Sequence, residues 1–217
     1  GAYKTLNFDI RNYKNLKMFV HAEGNQLKDG DISAFMRIGT DLVGNYYEYE
    51  IPLKITADGT YSADAIWRAE NEFNFALADL FNSKNKRSES NVPLTKPFFY
   101  FNDLGHKISV LGLPDLSNVR TILLGIRNNT DNPVCGEVWF NELRVTDISN
   151  HGGWAATSRV VAQMADFATL SASGNISTIG FGGIDKRLNE RNLSDNYQFD
   201  LSSSFELLEM QESIACQ

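Results

Sequence analysis

The run Tyr46–Thr56, YYEYEIPLKIT, constrains the fold of this chain more than any other stretch. Tyr47, Tyr49, Ile51, Leu53 and Ile55 alternate strictly with Tyr46, Glu48, Glu50, Pro52 and Lys54. A period of two cannot form an apolar stripe on a helix, so the segment is read as a strand with one covered face and one wet face that carries both glutamates. Pro52 lacks an amide donor, which puts the second half of the strand at an edge or a bulge.

Shorter segments repeat this signal. Leu6–Ile10, Leu16–Ala22, Ile32–Ile38, Phe98–Phe101, Lys107–Leu111 and Leu116–Asn129 are predicted as strands, and Asp29-Gly30-Asp31 is read as a turn. Gly136–Ile148, GEVWFNELRVTDI, is read as the strand that closes this part, with a bulge or an edge exchange where its apolar parity changes at Asn141-Glu142-Leu143. The period becomes helical at Phe73, Leu77, Leu80 and Phe81, which predicts a short helix from Phe73 to Asn82, followed by a loop over 83–97. Many strands, one inserted helix and no alternation of strand and helix together predict an all-β fold of two antiparallel sheets packed face to face.

The character of the chain changes after Asp147. The expected division is a β-sandwich over residues 1–149 and a strand-rich extension over 150–217. In the extension, Leu170–Ile176 and Phe199–Leu207 alternate apolar with small polar residues, a pattern shared by soluble sheets and outer-membrane barrel strands. Arg159–Met164 suits either a strand or a helix. Phe181-Gly-Gly-Ile is read as a turn, since it lacks the glycine spacing of a phosphate loop.

Composition narrows the function. A formal charge of −7, with no basic cluster, disfavours nucleic acid as a partner. No apolar run approaches the ~18 residues of a membrane-spanning helix, which leaves β-strands as the way a chain like this crosses a bilayer. The chain opens GAYKTLNF, without a basic or apolar leader, and its two cysteines, Cys135 and Cys216, are either free thiols or a single disulfide. His21, His106 and His151 fall on three separate elements without metal-ligand spacing, and no nucleophile sits beside a base, so no catalytic residue is assigned. Tyr46, Trp67 and Tyr100 are candidates for stacking on a sugar ring, with cross-strand packing as the plainer reading.

Two resemblances sharpen these expectations. Asn12–Val20, Asp115–Ile126 and Gly136–Val145 resemble opening and closing strands of galactose-binding-like jelly rolls, a fold common among carbohydrate-binding modules. That likeness implies a jelly-roll sandwich. It also makes Glu23, Asp29, Asp31, Asn141 and Glu142 candidate ligands for a structural calcium ion, against turn capping and solvated carboxylates as the alternative. Taken together, Arg11–Ala22, Asn45–Leu53, Val138–Asp147 and Phe181–Arg187 resemble the SprA/Sov family, very large outer-membrane proteins of the Bacteroidota type 9 secretion system that are also linked to gliding motility. The resemblance implies a non-enzymatic scaffold or docking segment. It sits in the outer membrane on the cell-surface or periplasmic side, and its partners are other secretion subunits or cargo. The C-terminal strands are then barrel-derived and prone to self-association, and the mixed-charge run Asp185, Lys186, Arg187, Glu190 and Arg191 forms a wet rim between membrane strands. A soluble carbohydrate-binding module is the alternative, and a hydrolase a distant third.

Overall fold

The computed structural model describes residues 1–57, 59–60, 62–148, 152–165, 167–183, 191–192 and 194–205. His151, Asp185, Lys186, Arg187, Glu190, Cys216 and the end of the strand read over Phe199–Leu207 lie outside the described residues, as does most of the boundary at 149–153. The chain separates into two compact units, Gly1–Ser149 and Asn150–Gln217.

In the first unit β1 (Ala2–Phe8), β2 (Tyr13–Glu23), β3 (Ile32–Gly39) and β4 (Tyr46–Pro52) precede a helical turn α1 (Ala63–Ile66) and a single 3-10 turn at Ala69–Asn71. Then come β5 (Phe73–Ala76), helix α2 (Leu77–Glu89), β6 (Phe98–Phe101), β7 (Lys107–Leu111), β8 (Val119–Asn128) and β9 (Glu137–Ile148). The helix therefore begins later and runs longer than its periodicity predicts, and part of the expected 83–97 loop is helical. Phe73 and Phe75 also fit a period of two, and tertiary pairing decides the matter: they lie opposite Met18 and Leu16 of β2, with both rings buried. Helix α2 then buries Leu77, Leu80, Ser83 and Arg87 along one stripe and places Lys86 and Arg87 in its last turn, where cations complement the dipole. β1 starts four residues earlier than the expected Leu6 and ends at Phe8.

The strands form a six-stranded sheet in the order β1-β8-β3-β4-β7-β6 and a three-stranded sheet in the order β5-β2-β9, antiparallel throughout. Both sheets contribute to one core. Leu16, Met18 and Val20 of β2 meet Met36, Ile38, Tyr47, Tyr49 and Ile51 of the larger sheet there, with Leu80 of α2 also enclosed. Tyr49 stacks on Phe75 across the sheets, ring centroids 4.0 Å apart and planes within 9°. Tyr47, Tyr49, Ile51 and Leu53 do form the covered face that alternation predicts. The expected bulge in β9 is present too: the register against β2 shifts between Lys17 and Phe19, and Glu142 takes a positive φ of 56°.

The turn between β3 and β4 is organised by one carboxylate. Asp41 Oδ2 accepts from Asn45 Nδ2 at 2.9 Å, while Oδ1 accepts the amides of Val43, Gly44 and Asn45. These bonds, the side-chain one from Asn45 foremost, hold the Asp41 carboxyl far below the usual carboxylate range. Asp115 is lowered in the same sense by the Ser117 hydroxyl and amide, and Asp29 by the Ile55 amide. A carboxyl whose folded pKa is depressed contributes stability that is complete above its unfolded pKa of about 4 and is lost as pH falls through the folded value. The thermal midpoint is therefore expected to fall steadily below about pH 4. Asp41→Asn should flatten that dependence, and a slope identical to wild type would show that the turn does not report on Asp41 ionisation.

In the second unit β10 (Ala155–Met164), β11 (Ala168–Ser177) and β12 (Asn196–Phe205) form an antiparallel meander of ten residues per strand. Register is unbroken over both pairings. Arg159–Met164, which suits either period, is strand.

Candidate functional site

Alternation predicts water on the second face of β4, but Glu48 and Glu50 there are buried, at 4% and 7% exposure. Their neighbours across the sheet explain why. Arg37 on β3 donates to Glu48 through Nε at 3.0 Å and Nη2 at 2.6 Å. Arg127 on β8 reaches Glu48 through Nη2 at 3.1 Å and Glu50 through Nη1, and Lys107 on β7 lies 3.8 Å from Glu50. Aromatic rings complete the cover: Arg37 lies 3.8 Å from the Tyr46 ring centroid, Arg127 lies 5.1 Å from that of Phe35, and Lys107 lies 4.9 Å from that of Phe99. Phe35 can lie there because its cross-strand partner is Gly125, where an added Cβ would come within 2.3 Å of the ring. Burial opposes the Arg127 cation, yet the bonds and fields of the two carboxylates raise its pKa overall. Three cations shared by two carboxylates make this face a rigid charged lattice.

The sugar-stacking candidates are not brought together. Tyr46 belongs to the outer face of the large sheet, under Arg37. Tyr100 lies on the opposite, core side, opposite Ile108, with its hydroxyl donating to the Asp79 carbonyl. Trp67 belongs to neither place. It lies over β2, 6.2 Å from Phe19 and 6.2 Å from His21 between ring centroids. His21 in turn lies 5.3 Å from Trp139, its cross-strand partner on β9. Phe19, His21, Trp67 and Trp139 thus form an aromatic strip on the outer face of β2 and β9. Residues 19, 21, 137 and 139 carry the parity opposite to the core positions Val20, Ala22 and Val138, so alternation locates this strip once β2 and β9 are paired; their sequence separation hides the pairing. His21 is held by the Ile66 carbonyl at Nδ1 (3.0 Å) and by Glu23 at Nε2 (3.2 Å).

The calcium candidates are dispersed. Glu23 ends β2 opposite Glu137, and Asn141 lies opposite Phe19, two rungs further along the same face. Asp29 accepts from the Ile55 amide at 2.8 Å and pairs with Lys54, while Asp31 accepts from the Lys28 amide at 2.9 Å. Glu142 sits at the bulge, 3.5 Å from Arg144. Among the described residues no group of three or more His, Cys, Asp or Glu side chains is placed to hold a metal ion.

The second unit sorts its side chains by face. Pairing puts Val160, Ala162 and Met164 of β10, Leu170, Ala172 and Ile176 of β11, and Tyr197, Phe199, Leu201 and Phe205 of β12 on one side. Thr157, Arg159, Gln163, Ser171, Ser173, Asn175, Gln198, Asp200, Ser202 and Ser204 share the other, which also carries Val161, while Ser158 and Ser203 fall on the apolar side. The apolar side is open: Phe199 and Leu201 are 72% and 76% exposed. Aromatic residues mark both ends of the sheet, Trp154 and Tyr197 at one, Phe167 and Phe205 at the other, the last two 6.0 Å apart. No helix among the described residues is long and apolar enough to cross a membrane.

These features define a class: an all-β scaffold whose first unit is a closed-core module bearing polar and aromatic surfaces, and whose second is a sheet with one uncovered apolar face. The chain belongs to the SprA N-terminal family, described as motility related/secretion protein, which it matches over residues 1–214. Compared with curated proteins, it matches none. As a member of that family it is a scaffold or docking segment of the secretion machinery at the outer membrane.

Proposed function

We propose that β10–β12 are outer-membrane barrel strands with their apolar face against lipid, and that residues 1–149 are a jelly-roll module of galactose-binding-like type that docks secretion subunits or cargo beside that barrel. The observation that carries the reading is the segregation of the second unit. Ten-residue antiparallel strands with one apolar face, one small-polar face and aromatic residues at both ends have the dimensions and pattern of membrane strands. Two antiparallel sheets around one core support the jelly-roll assignment.

Single cysteines on either face test the membrane reading. In a background carrying Cys135→Ser and Cys216→Ser, Asp200→Cys and Ser202→Cys are expected to react with an aqueous maleimide when the chain is reconstituted in liposomes, while Phe199→Cys and Leu201→Cys are shielded. Equal reactivity on both faces would sink the reading. The division into modules has its own consequence. Residues 1–149 alone are expected to be monomeric with one sharp thermal transition, because their core is complete without the second unit. The full chain in water should self-associate through the open edges of β10 and β12. A molten truncated protein would overturn the division.

A further inference from the structure

The aromatic strip on β2 and β9 ends in a groove, and we propose that the two together form a carbohydrate subsite in which a sugar ring stacks on Trp139 and donates hydroxyl hydrogen bonds to Glu23 and Glu137. The groove has a volume of about 510 Å³ and is lined by Glu23, Asn25, Gln26, Cys135 and Glu137. Trp139 lies one rung along the same face and is 47% exposed. Its indole N–H donates to Glu137 Oε1, which fixes the ring in place while leaving its face for a ligand.

Each carboxylate is held through a single oxygen. Glu23 is bonded through Oε2 to His21, and Glu137 through Oε1 to Trp139, so among the described residues Glu23 Oε1 and Glu137 Oε2 stay available as acceptors. Glu23 and Glu137 are also direct cross-strand partners, and like charges placed opposite each other in a ladder repel. A ligand rich in O–H or N–H donors relieves that repulsion, and no lysine or arginine pairs with either residue among the described contacts. Stacking area, paired acceptors and a groove of monosaccharide-to-disaccharide size converge at one end of one sheet. The two carboxylates set the specificity: neutral and amino sugars fit, while uronic acids and phosphorylated sugars are repelled. The site is independent of the membrane reading of β10–β12, since it lies wholly within the first unit.

Titration of the full chain with the trisaccharides of N-acetylglucosamine, glucosamine and galacturonic acid tests the site by calorimetry. Saturable binding of the first two, with glucosamine the tighter and galacturonate silent, is expected at millimolar or better affinity. Trp139→Ala and Glu137→Gln should each weaken it about tenfold or more, as for one or two lost contacts, in protein that remains folded, with Glu137→Gln leaving the thermal midpoint unchanged and Trp139→Ala lowering it slightly through the lost pair with His21. Tyr46→Ala, on the other sheet, should leave binding intact. Absence of saturable binding at about 10 mM, binding that ignores Trp139→Ala and Glu137→Gln in folded protein, or equal binding of galacturonate would each overturn the proposal.

Discussion

Replacing Glu48 with alanine is expected to destabilise the first unit by about 2–3 kcal/mol and to lower its thermal midpoint by about 5–10 °C. The carboxylate is 6% exposed and is shared by Arg37 and Arg127, so its removal takes from Arg37 its carboxylate partner among the described contacts and leaves Arg127 with Glu50 alone. Loss of one partner of a fully buried pair costs about 3–5 kcal/mol; the side chains of Arg37 and Arg127 are 20% and 36% exposed and recover part of their hydration, which sets the expectation lower. Glu48→Gln keeps the shape and loses only the charge, so it should fall between wild type and alanine. A double-mutant cycle with Arg127→Met separates the pair from its surroundings. If Glu48→Ala melts within a degree of wild type, the lattice is ornamental and the burial of β4's outer face must come from the aromatic cover alone.

Introducing arginine at Leu201 should cost insertion into a bilayer about 2–4 kcal/mol, whereas arginine at Asp200, its chain neighbour, should cost almost nothing. The contrast follows from the period of two. Leu201 lies opposite Ala172 on the apolar face and is 76% exposed, while Asp200 lies opposite Ser173 on the polar face. In a barrel the first faces hydrocarbon and the second faces the lumen. Partition of the two variants between liposome and aqueous fractions gives the answer directly, and equal partition would remove the lipid-facing assignment of the sheet. Near either end of β12 the penalty should shrink, since charge is tolerated at the depth of the aromatic residues.

Much of this architecture was legible because a strand's parity is a local property. Tyr47, Tyr49, Ile51 and Leu53 announce a covered face without knowledge of what covers it, and the change of parity at Asn141-Glu142 announces the bulge. Parity does not say that the other face is wet. The cations that bury Glu48 come from β3 and β8, and no local pattern around the glutamates reports them. The same limit displaced the candidate sites: Tyr46 and Tyr100 have opposite parity across β4, β7 and β6, which becomes apparent only when the strands are aligned. Trp67 lies with Phe19 and His21 rather than with Tyr46 or Tyr100, because its neighbours on β2 and β9 are assembled by long-range pairing. The start of α2 was ambiguous for a different reason. Phe73 and Leu77 satisfy either period over so short a run, and the pairing of Phe73 with Met18 settles it.

The pairing order of the first unit also governs when it can fold. β1 lies against β8, with Ala2 opposite Leu124, and β2 lies against β9, with Tyr13 opposite Ile148. Each sheet thus joins an early strand to a late one, and neither is complete until nearly the whole unit has emerged from the machinery that makes or translocates it. Such high contact order slows folding, and until closure β2 presents Leu16, Met18 and Val20 to any other strand in reach. A chain wired in this way depends on being kept apart from its neighbours during delivery, and its demand for a holding chaperone should be greatest in the interval before β9 arrives.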